Sequence, residues 1–310
     1  MNDRNFYIKI AHWYYTLGMT QDEIGKNLSM TRQKVNRIIN NLPAMGIVST
    51  QVNGFEDTYV EYEAKIESRF EVNRVIIAET YNNANYRPLL ANRAASYIRS
   101  IIQPASIIGV SWGETLADAI GQLPYLNHPQ CTVVQMVGAQ NTDQHSLKSD
   151  EISRALADKL NCSCYNLYAP SILDNPKIKK MLLEERIIKV AYKMMKKCDI
   201  GIFGIGQLSE GSTMLKRGML QKQDINQLRE AGFVGDICVN PVRIDGQWEE
   251  CPMRNRIISA NMEILRAIPN VIAIAGGEEK VEAIIGCLAS GVINTFIVDL
   301  ETAKLICERI

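Results

Sequence analysis

The sequence predicts an α/β protein in which a small, mainly helical domain precedes a larger domain built around a parallel sheet. At 310 residues the chain exceeds one ordinary domain. Residues 5–42 contain three consecutive helical patterns, whereas continuous apolar strands alternate with amphipathic helices from residue 73 onward. Such alternation is typical of a parallel sheet that is covered on both faces. We therefore expect domains at residues 1–55 and 73–310, joined by a connector at 56–72.

The composition is that of a soluble globular protein, with 46% apolar and 22% charged residues and a net charge of zero. The chain has no run of about 18 uncharged apolar residues and no apolar signal segment, so we expect a cytoplasmic protein without a membrane span. The eight cysteines are scattered, which favours structural thiols over a metal site. Through Phe55, six basic residues stand against three acidic ones, and this balance favours a polyanionic partner.

The N-terminal helical patterns have the order and spacing of a helix-turn-helix. The first helix is expected at residues 5–17, with an apolar face formed by Ile8, Ala11 and Tyr15. Residues 20–23 have the form of a capping box, which starts a short second helix. A turn at residues 29–31 leads into a third helix. After Gly46, the alternation of residues 47–52 predicts a short strand, as in a small wing.

The third helix has two contrasting faces. Its apolar face is formed by Val35, Ile38, Ile39 and Leu42. Its other face has hydrogen-bonding and cationic side chains with no acid among them, namely Thr31, Arg32, Gln33, Lys34, Asn36 and Arg37. Such side chains contact base edges and phosphates when a helix enters the major groove by its N-terminal end. The alternative is a three-helix bundle whose polar face is only solvated. Pro43 should end the helix after about Asn41.

Residues 56–70 predict a connector helix with one aromatic and aliphatic stripe, formed by Tyr59, Tyr62, Ile66 and Phe70. This stripe could pack on either domain or against its copy in another subunit. We favour the second subunit, because helix-turn-helix dimers must hold two DNA-reading helices at a fixed spacing.

Seven strands are expected in the larger domain, at residues 74–78, 107–110, 132–136, 164–168, 200–203, 271–274 and 295–298. Helices are expected at residues 89–102, 115–123, 151–160, 176–197 and 279–289. Four strands end in glycine-containing turns, at residues 111–115, 137–140, 204–207 and 275–280. Ligands bind beyond the carboxyl ends of such strands, where a glycine lets a backbone amide approach an anion and a helix N-terminus supplies partial positive charge. The turns lack the nucleotide-binding patterns, so we expect no cofactor.

Nearly the whole chain resembles the SorC family of bacterial sugar-operon regulators. The matching segments include Gly18–Ile24, Thr31–Arg37, Gly109–Leu116, Ala275–Lys280 and Asp299–Ala303. The resemblance implies a Rossmann-like effector domain, built like ribose-5-phosphate isomerase and glucosamine-6-phosphate deaminase, that binds a phosphorylated sugar or polyol. It also implies a homo-oligomer, dimeric or tetrameric, whose affinity for operator DNA changes with the effector.

The resemblance also implies roles for particular residues. The implied DNA contacts are Thr20, Gln21, Thr31, Arg32, Gln33, Lys34, Asn36 and Arg37. The residues implied to hold the phosphate are Gly113, Glu114, Thr115 and Lys280, with Ser111 and Gly138 in the same group of strand-end turns. Those implied to face the sugar hydroxyls are Gln140, Gly206 and Asp236, since a carboxylate is a suitable acceptor for vicinal diols.

Two positions depart from the family's pattern. Glu114 places a carboxylate beside the expected phosphate, so we expect its side chain to point outward and only its amide to contribute. Residues 240–242 replace a stretch that is more aromatic in the family, and this change leaves the identity of the sugar open.

A sugar-phosphate isomerase or deaminase is the alternative function, since the larger domain resembles such enzymes. Their chemistry needs a positioned general base and a partner acid. The three histidines, His12, His128 and His145, have no clear catalytic setting, and Asp236 has no evident partner acid. An isomerase also has no need of a basic N-terminal domain. We therefore expect a regulator without catalytic residues.

Overall fold

The computed structural model describes residues 3–49, 58–79, 85–139 and 149–310. The chain forms two compact units that divide between Thr58 and Tyr59. The helix expected as a connector at 56–72 is the first element of the second unit, so the division differs from the three segments expected from the sequence. Among the described residues, no helix is long and apolar enough to cross a membrane.

The described part of the first unit consists of α1 (Asp3–Ala11), α2 (Gln21–Leu28) and α3 (Arg32–Asn41). A π-helical turn at His12–Thr16 extends α1. This wider turn moves Tyr15 off the buried face, and Ile10 rather than Ile8 completes that face. The apolar face expected for the first helix is therefore wrong except at Ala11.

Side-chain caps set the limits of α2 and α3. The Thr20 hydroxyl accepts from the Glu23 amide (3.3 Å), and the Glu23 carboxylate accepts from the Thr20 amide (2.8 Å), which confirms the predicted capping box. Thr31 caps α3 in the same way, by accepting from the Lys34 amide (3.3 Å). The third helix ends at Asn41, as Pro43 predicts. Residues 47–49 form no strand, and the rest of the expected wing lies outside the described residues.

The second unit contains a mixed sheet flanked by helices. Its strands are β1 (Arg74–Ala78), β2 (Ile107–Val110), β3 (Thr132–Gln135), β4 (Ser163–Tyr165), β5 (Ile200–Gln207), β6 (Phe233–Ile237), β7 (Asn240–Arg243), β8 (Asn270–Ile274) and β9 (Thr295–Asp299). Its helices are α4 (Val60–Phe70), α5 (Tyr86–Ile101), α6 (Glu114–Gln122), α7 (Ser149–Leu160), α8 (Pro176–Glu184), α9 (Arg186–Met195), α10 (Thr213–Lys216), α11 (Lys222–Glu230), α12 (Met262–Ala267), α13 (Val281–Ala289) and α14 (Leu300–Arg309).

Seven strands are parallel, in the order β1-β9-β8-β5-β2-β3-β4, and an antiparallel hairpin of β6 and β7 extends the second half of β5. Alternate side chains of the parallel strands enter two apolar clusters on opposite faces of the sheet. Phe203, for example, belongs to one cluster, and its neighbour Ile202 belongs to the other. This double burial is the physical reason for the uninterrupted apolar runs in the sequence.

All seven expected strands are present, but two other expectations need correction. The hairpin strands β6 and β7 were not expected, because Gly235, Asp236 and Pro241 interrupt their apolar pattern. The single helix expected at 176–197 is two helices, α8 and α9, because Glu185 adopts extended backbone angles between them.

The apolar stripe of α4 packs inside its own unit. Ile66 and Phe70 are buried in the core beside β1 and α14, so the stripe does not offer the subunit contact that we favoured. The carboxylates of Glu63 and Glu67 accept hydrogen bonds from the amides of Ile77 (3.0 Å) and Val75 (2.7 Å). These bonds satisfy amides on the edge of β1 that faces away from β9.

Candidate functional site

A cavity of about 290 Å³ lies in the second unit, beyond the carboxyl ends of β2 and β8 and beside the β5–β6 extension. The expected effector-site residues that line it are Ser111, Gly113, Glu114, Thr115, Gly206, Asp236 and Lys280. Gly138 does not line it, and Gln140 lies outside the described residues. Three of the four glycine turns therefore meet at one site, as the position of ligands in parallel sheets predicts.

Gly138 packs against backbone. A Cβ atom at this position would lie 2.5 Å from the Ala169 carbonyl oxygen, and the Gly138 amide donates to the Ile258 carbonyl (3.0 Å). The glycine therefore permits a close approach of two chain segments, which is a structural role.

The turn between β2 and α6 lines the cavity. Gly113 is the N-cap of α6 and has a φ of 141°, a conformation that favours glycine. The buried Ser111 hydroxyl accepts from the Gly204 amide (3.4 Å), which joins this turn to β5. The first amides of a helix have no partner within the helix, so the start of α6 can bind an anion.

The Glu114 side chain is directed to a cation outside this amide group. Its carboxylate lies 3.0 Å from the Arg87 guanidinium, which also donates to Asp118 at 2.7 Å. The hydrogen bond to Asp118 is the largest cause that raises the pKa of Arg87. Glu114 thus has a partner for its charge, and its amide remains at the start of α6, as expected for this position.

Hydrogen bonds with neighbouring side chains hold the turn between β8 and α13 in place. The Gly277 amide donates to the Thr302 hydroxyl (2.7 Å), which donates to the Asp299 carboxylate (2.6 Å). The Tyr86 hydroxyl donates to the Gly276 carbonyl (3.0 Å). A short 3₁₀ turn follows, and Lys280 directly precedes α13 rather than lying in its first turn.

Lys280 lines the cavity, and its side chain is partly buried. Burial is the largest cause that lowers the pKa of this amine. Within the described part of the chain, no carboxylate lies within ion-pair distance of it. The charges of Glu279, Glu114 and Asp236 oppose this lowering of the pKa, whereas the charge of Arg87 adds to it. A cation that is desolvated without a direct partner is suited to an anionic ligand.

Asp236 supplies a buried carboxylate on the other side of the site. It lies on β6 opposite Gly206 of β5, and a Cβ atom at Gly206 would lie 2.1 Å from Asp236 Oδ1. The Val239 amide donates to Oδ2 (3.0 Å). Burial raises the pKa of Asp236 to about 6, while the Val239 hydrogen bond and the charge of Lys280 oppose that rise.

Sequence reasoning missed the segment around α10. Arg217 and Lys216 line the cavity, and the Arg217 guanidinium lies 4.9 Å from the centre of the Trp112 ring. Burial is the largest cause that lowers the pKa of Arg217. The adjacent cations followed by Gly218 were the available signal, but only the fold places them beside the turn after β2.

The first unit presents the expected polar face. The side chains of Thr31, Arg32, Gln33, Lys34, Asn36 and Arg37 are exposed, whereas Val35 and Ile39 are buried. The Gln21 side-chain nitrogen donates to Asn36 Oδ1 (3.2 Å) and thereby joins α2 to α3. Arg32 lies 3.9 Å from Asp22 in an exposed pair, which contributes little to stability. The hydroxyls of Thr20 and Thr31 cap helices, so their structural role is clear.

Other kinds of site find no support among the described residues. His12 is exposed, neither it nor His128 lines the cavity, and His145 lies outside the described residues. The described part of the chain has no cluster of His, Cys, Asp and Glu that could hold a metal ion. All eight cysteines are free thiols.

A family model matches most of the chain. Residues 57–308 match the family described as "Putative sugar-binding domain". The chain is 24% identical to the erythritol catabolism regulatory protein EryD of Brucella abortus, over 97% of this chain and 96% of that protein. It is 25% identical to the sorbitol operon regulator of Klebsiella pneumoniae, over 99% of both chains.

The fold is also shared by a solved structure. The full-length sorbitol operon regulator SorC from Klebsiella pneumoniae superposes with a TM-score of 0.74, at 24% identity and with 99% of both chains covered. That likeness concerns the fold, whereas the match to residues 57–308 concerns the family. The chain belongs to the SorC family of sugar-binding transcriptional regulators.

Proposed function

We propose that this protein binds operator DNA through α3 and that a phosphorylated sugar or polyol in the cavity changes its affinity for that DNA. The observation that carries the proposal is the arrangement of the cavity, where the Lys280 ammonium and the start of α6 lie at one site with the buried Asp236 carboxylate. A cation and helix amides suit a phosphate, whereas a carboxylate acceptor suits hydroxyl groups.

The phosphate end of the site rests on three groups. Gly113 and Thr115 lie at the start of α6, where the helix dipole favours a negative charge. Lys280 adds a full positive charge that no described carboxylate neutralises within ion-pair distance. Arg217 adds a second cation, held against the Trp112 ring. These groups support an anionic effector over a neutral sugar.

The hydroxyl end rests on Asp236. Gly206 opposite it leaves the Oδ1 atom uncovered by a side chain, so a ligand hydroxyl can approach. The relatives named for erythritol and sorbitol regulation make polyols the first ligands to try. We therefore choose erythritol 4-phosphate and sorbitol 6-phosphate as probes, each beside its unphosphorylated form.

A regulator is a better account of the cavity than an isomerase. Proton transfer between neighbouring carbons needs a base within hydrogen-bond reach and a suitable partner acid. Asp236 shares the cavity with Lys280, whose ammonium suits the binding of an anion, and the relatives compared above are named as regulators. We propose that the carboxylate binds the effector and does not act as a catalytic base.

We also propose a homo-oligomer, since paired helix-turn-helix units bind paired half-sites. Exposed aliphatic side chains on the two adjacent helices α8 and α9 support a subunit contact, namely Ile178, Met181, Ile187 and Val190. Large exposed apolar side chains on neighbouring elements favour protein contacts. Sedimentation at micromolar concentration should give a dimer or tetramer, and a monomer with and without DNA would contradict this part.

A thermal-shift experiment tests the effector site. A ligand at 100 times its Kd stabilises a protein by about 2.7 kcal/mol, which is readily measured. We expect a phosphorylated polyol to raise the melting temperature and its unphosphorylated form to do so far less. In Lys280→Met the shift should be lost, while the control Lys304→Met, which removes an exposed pair with Glu301, should keep it. Equal shifts in both variants would contradict a phosphate at Lys280.

A further inference from the structure

The hairpin that carries Asp236 closes through an unfavourable turn. Ile237 pairs with Asn240, so the turn has two central residues, Cys238 and Val239. Both have positive φ, at 54° and 61°. Positive φ at both positions is the signature of the type I′ turn, which matches the twist of a two-residue hairpin and favours Asn-Gly. Here the positions hold a cysteine and a β-branched valine, for which this conformation is rare.

Both turn residues are almost fully buried and line the cavity. A left-handed conformation at a residue other than glycine is unfavourable, and it persists only where the surroundings enforce it. Besides the bond from the Cys238 thiol to the Met136 carbonyl (3.6 Å), two constraints act on the backbone of the turn. One is the hydrogen bond from the Val239 amide to Asp236 Oδ2. The other is the side chain of Asn240.

The Asn240 side chain closes the turn from outside the cavity. Its amide nitrogen lies within hydrogen-bond distance of three carbonyl oxygens, those of Ile237 (3.1 Å), Cys238 (2.9 Å) and Ala260 (2.9 Å). Two of these carbonyls belong to the turn, and the third belongs to the segment before α12. Asn240 therefore fixes the turn to the rest of the unit without touching the cavity, which it does not line.

By fixing the turn, the Asn240 hydrogen bonds determine the position of the Asp236 carboxylate. The Val239 amide is the donor to this carboxylate among the described residues, and it engages only Oδ2. Oδ1 lies against Gly206, which also lines the cavity. Without the left-handed turn, the Val239 amide would point elsewhere and the carboxylate would lose its fixed orientation.

We propose that Asn240 is a positioning residue for Asp236, because it clamps the left-handed Cys238–Val239 turn so that the Val239 amide holds one carboxylate oxygen and leaves the other for a hydroxyl group of the effector. The part that concerns the effector rests on the proposed function. The action of the turn on Asp236 does not, and it can be tested without any ligand.

The test uses the titration of Asp236 in the whole protein. Its folded-state pKa is raised above the ordinary value, so ionisation opposes folding and stability falls as pH rises through the interval that ends at about 6. The other charged or titratable groups around this carboxyl are Lys280 before α13, Cys287 on α13 and Cys238 in the turn. Burial raises the pKa of both thiols, so they stay protonated in this interval.

The difference in melting temperature between the parent and Asp236→Asn, followed over pH, isolates this titration. We take the Asp236 midpoint as the pH at which this difference levels off, which is the folded-state pKa. In the Asn240→Ala background that midpoint should lie roughly one to two pH units higher, since a hydrogen bond to the charged form is lost. Asn166→Ala is the matched control, because it removes a partly buried side-chain amide that bonds to Tyr168 away from the turn. This control should leave the midpoint unchanged.

A rescue distinguishes positioning from general damage. Cys238→Asn with Val239→Gly installs the sequence that favours the turn, so in the Asn240→Ala background it should return the midpoint towards the parent value. If Asn240→Ala does not fold, the rescued chain should fold and give that midpoint. An unchanged midpoint in Asn240→Ala, a failure of the rescue, or no folded protein from either variant would overturn the proposal. A failed effector screen would leave these ligand-free results standing.

Discussion

The two candidate sites of this chain are built in opposite ways. The proposed DNA-contacting face of α3 consists of neighbouring exposed side chains on one helix, whose start is capped by Thr31. The cavity of the second unit gathers partly buried groups from distant segments, including Arg87, Gly113, Asp236 and Lys280. Burial raises the pKa of Asp236 and lowers that of Lys280. Function in the first unit is thus local in sequence, and in the second it depends on the fold.

The largest expected effect comes from filling the space opposite Asp236. A Cβ atom in Gly206→Ala would lie 2.1 Å from Oδ1, so the carboxylate must move. Such overpacking costs roughly 1–3 kcal/mol of unfolding free energy, and effector binding should be lost. Urea unfolding and the thermal shift measure both effects. Gly121→Ala on α6 is the control, since nothing lies within 4 Å of the added atom. Effector binding at parent strength in Gly206→Ala would contradict the site.

Changes on α3 should affect DNA binding alone. Gln33→Ala and Arg37→Ala should each weaken operator binding by about 1–3 kcal/mol and relax base preference, if these exposed side chains contact base edges. Lys34→Ala should instead weaken all sequences alike and reduce the salt dependence. Lys26→Ala, an exposed cation on α2, is the control. Fluorescence anisotropy with selected and random DNA measures these effects. Unchanged binding in the Gln33 and Arg37 variants would contradict the binding of α3 in the major groove.

Helix caps offer a smaller and matched comparison of the two units. Thr20→Ala removes the capping box of α2 and should lower stability by about 1 kcal/mol. Ser212→Ala removes the cap of α10 beside Arg217. We expect the first variant to weaken DNA binding without changing the effector-induced shift, and the second to reduce that shift without changing DNA binding. Cross-effects of equal size would show that the two sites are not separable in this way.

The sequence predicts most of the second unit because its parallel strands are buried on both faces and leave long apolar runs. It predicts Lys280 because a glycine turn between a strand and a helix is a local pattern. The same pattern misleads at Gly138, where the space beside the glycine is filled by the backbone of Ala169. Sequence reasoning does not identify Arg217 as a site residue, because its contact with Trp112 joins residues more than a hundred positions apart. The positive φ of Val239 has no signature in the sequence either, since valine rarely adopts it.

The central claim is that the cavity controls DNA binding through an anion at Lys280. Anisotropy titrations should compare the parent, Lys280→Met and Lys304→Met on one DNA fragment that the parent selects from a random pool. Each is measured with and without the phosphorylated polyol that gives the larger thermal shift. We expect equal DNA affinity for all three without ligand, and a ligand-induced change in the parent and Lys304→Met that is absent from Lys280→Met. The same ligand-induced change in Lys280→Met would contradict the account.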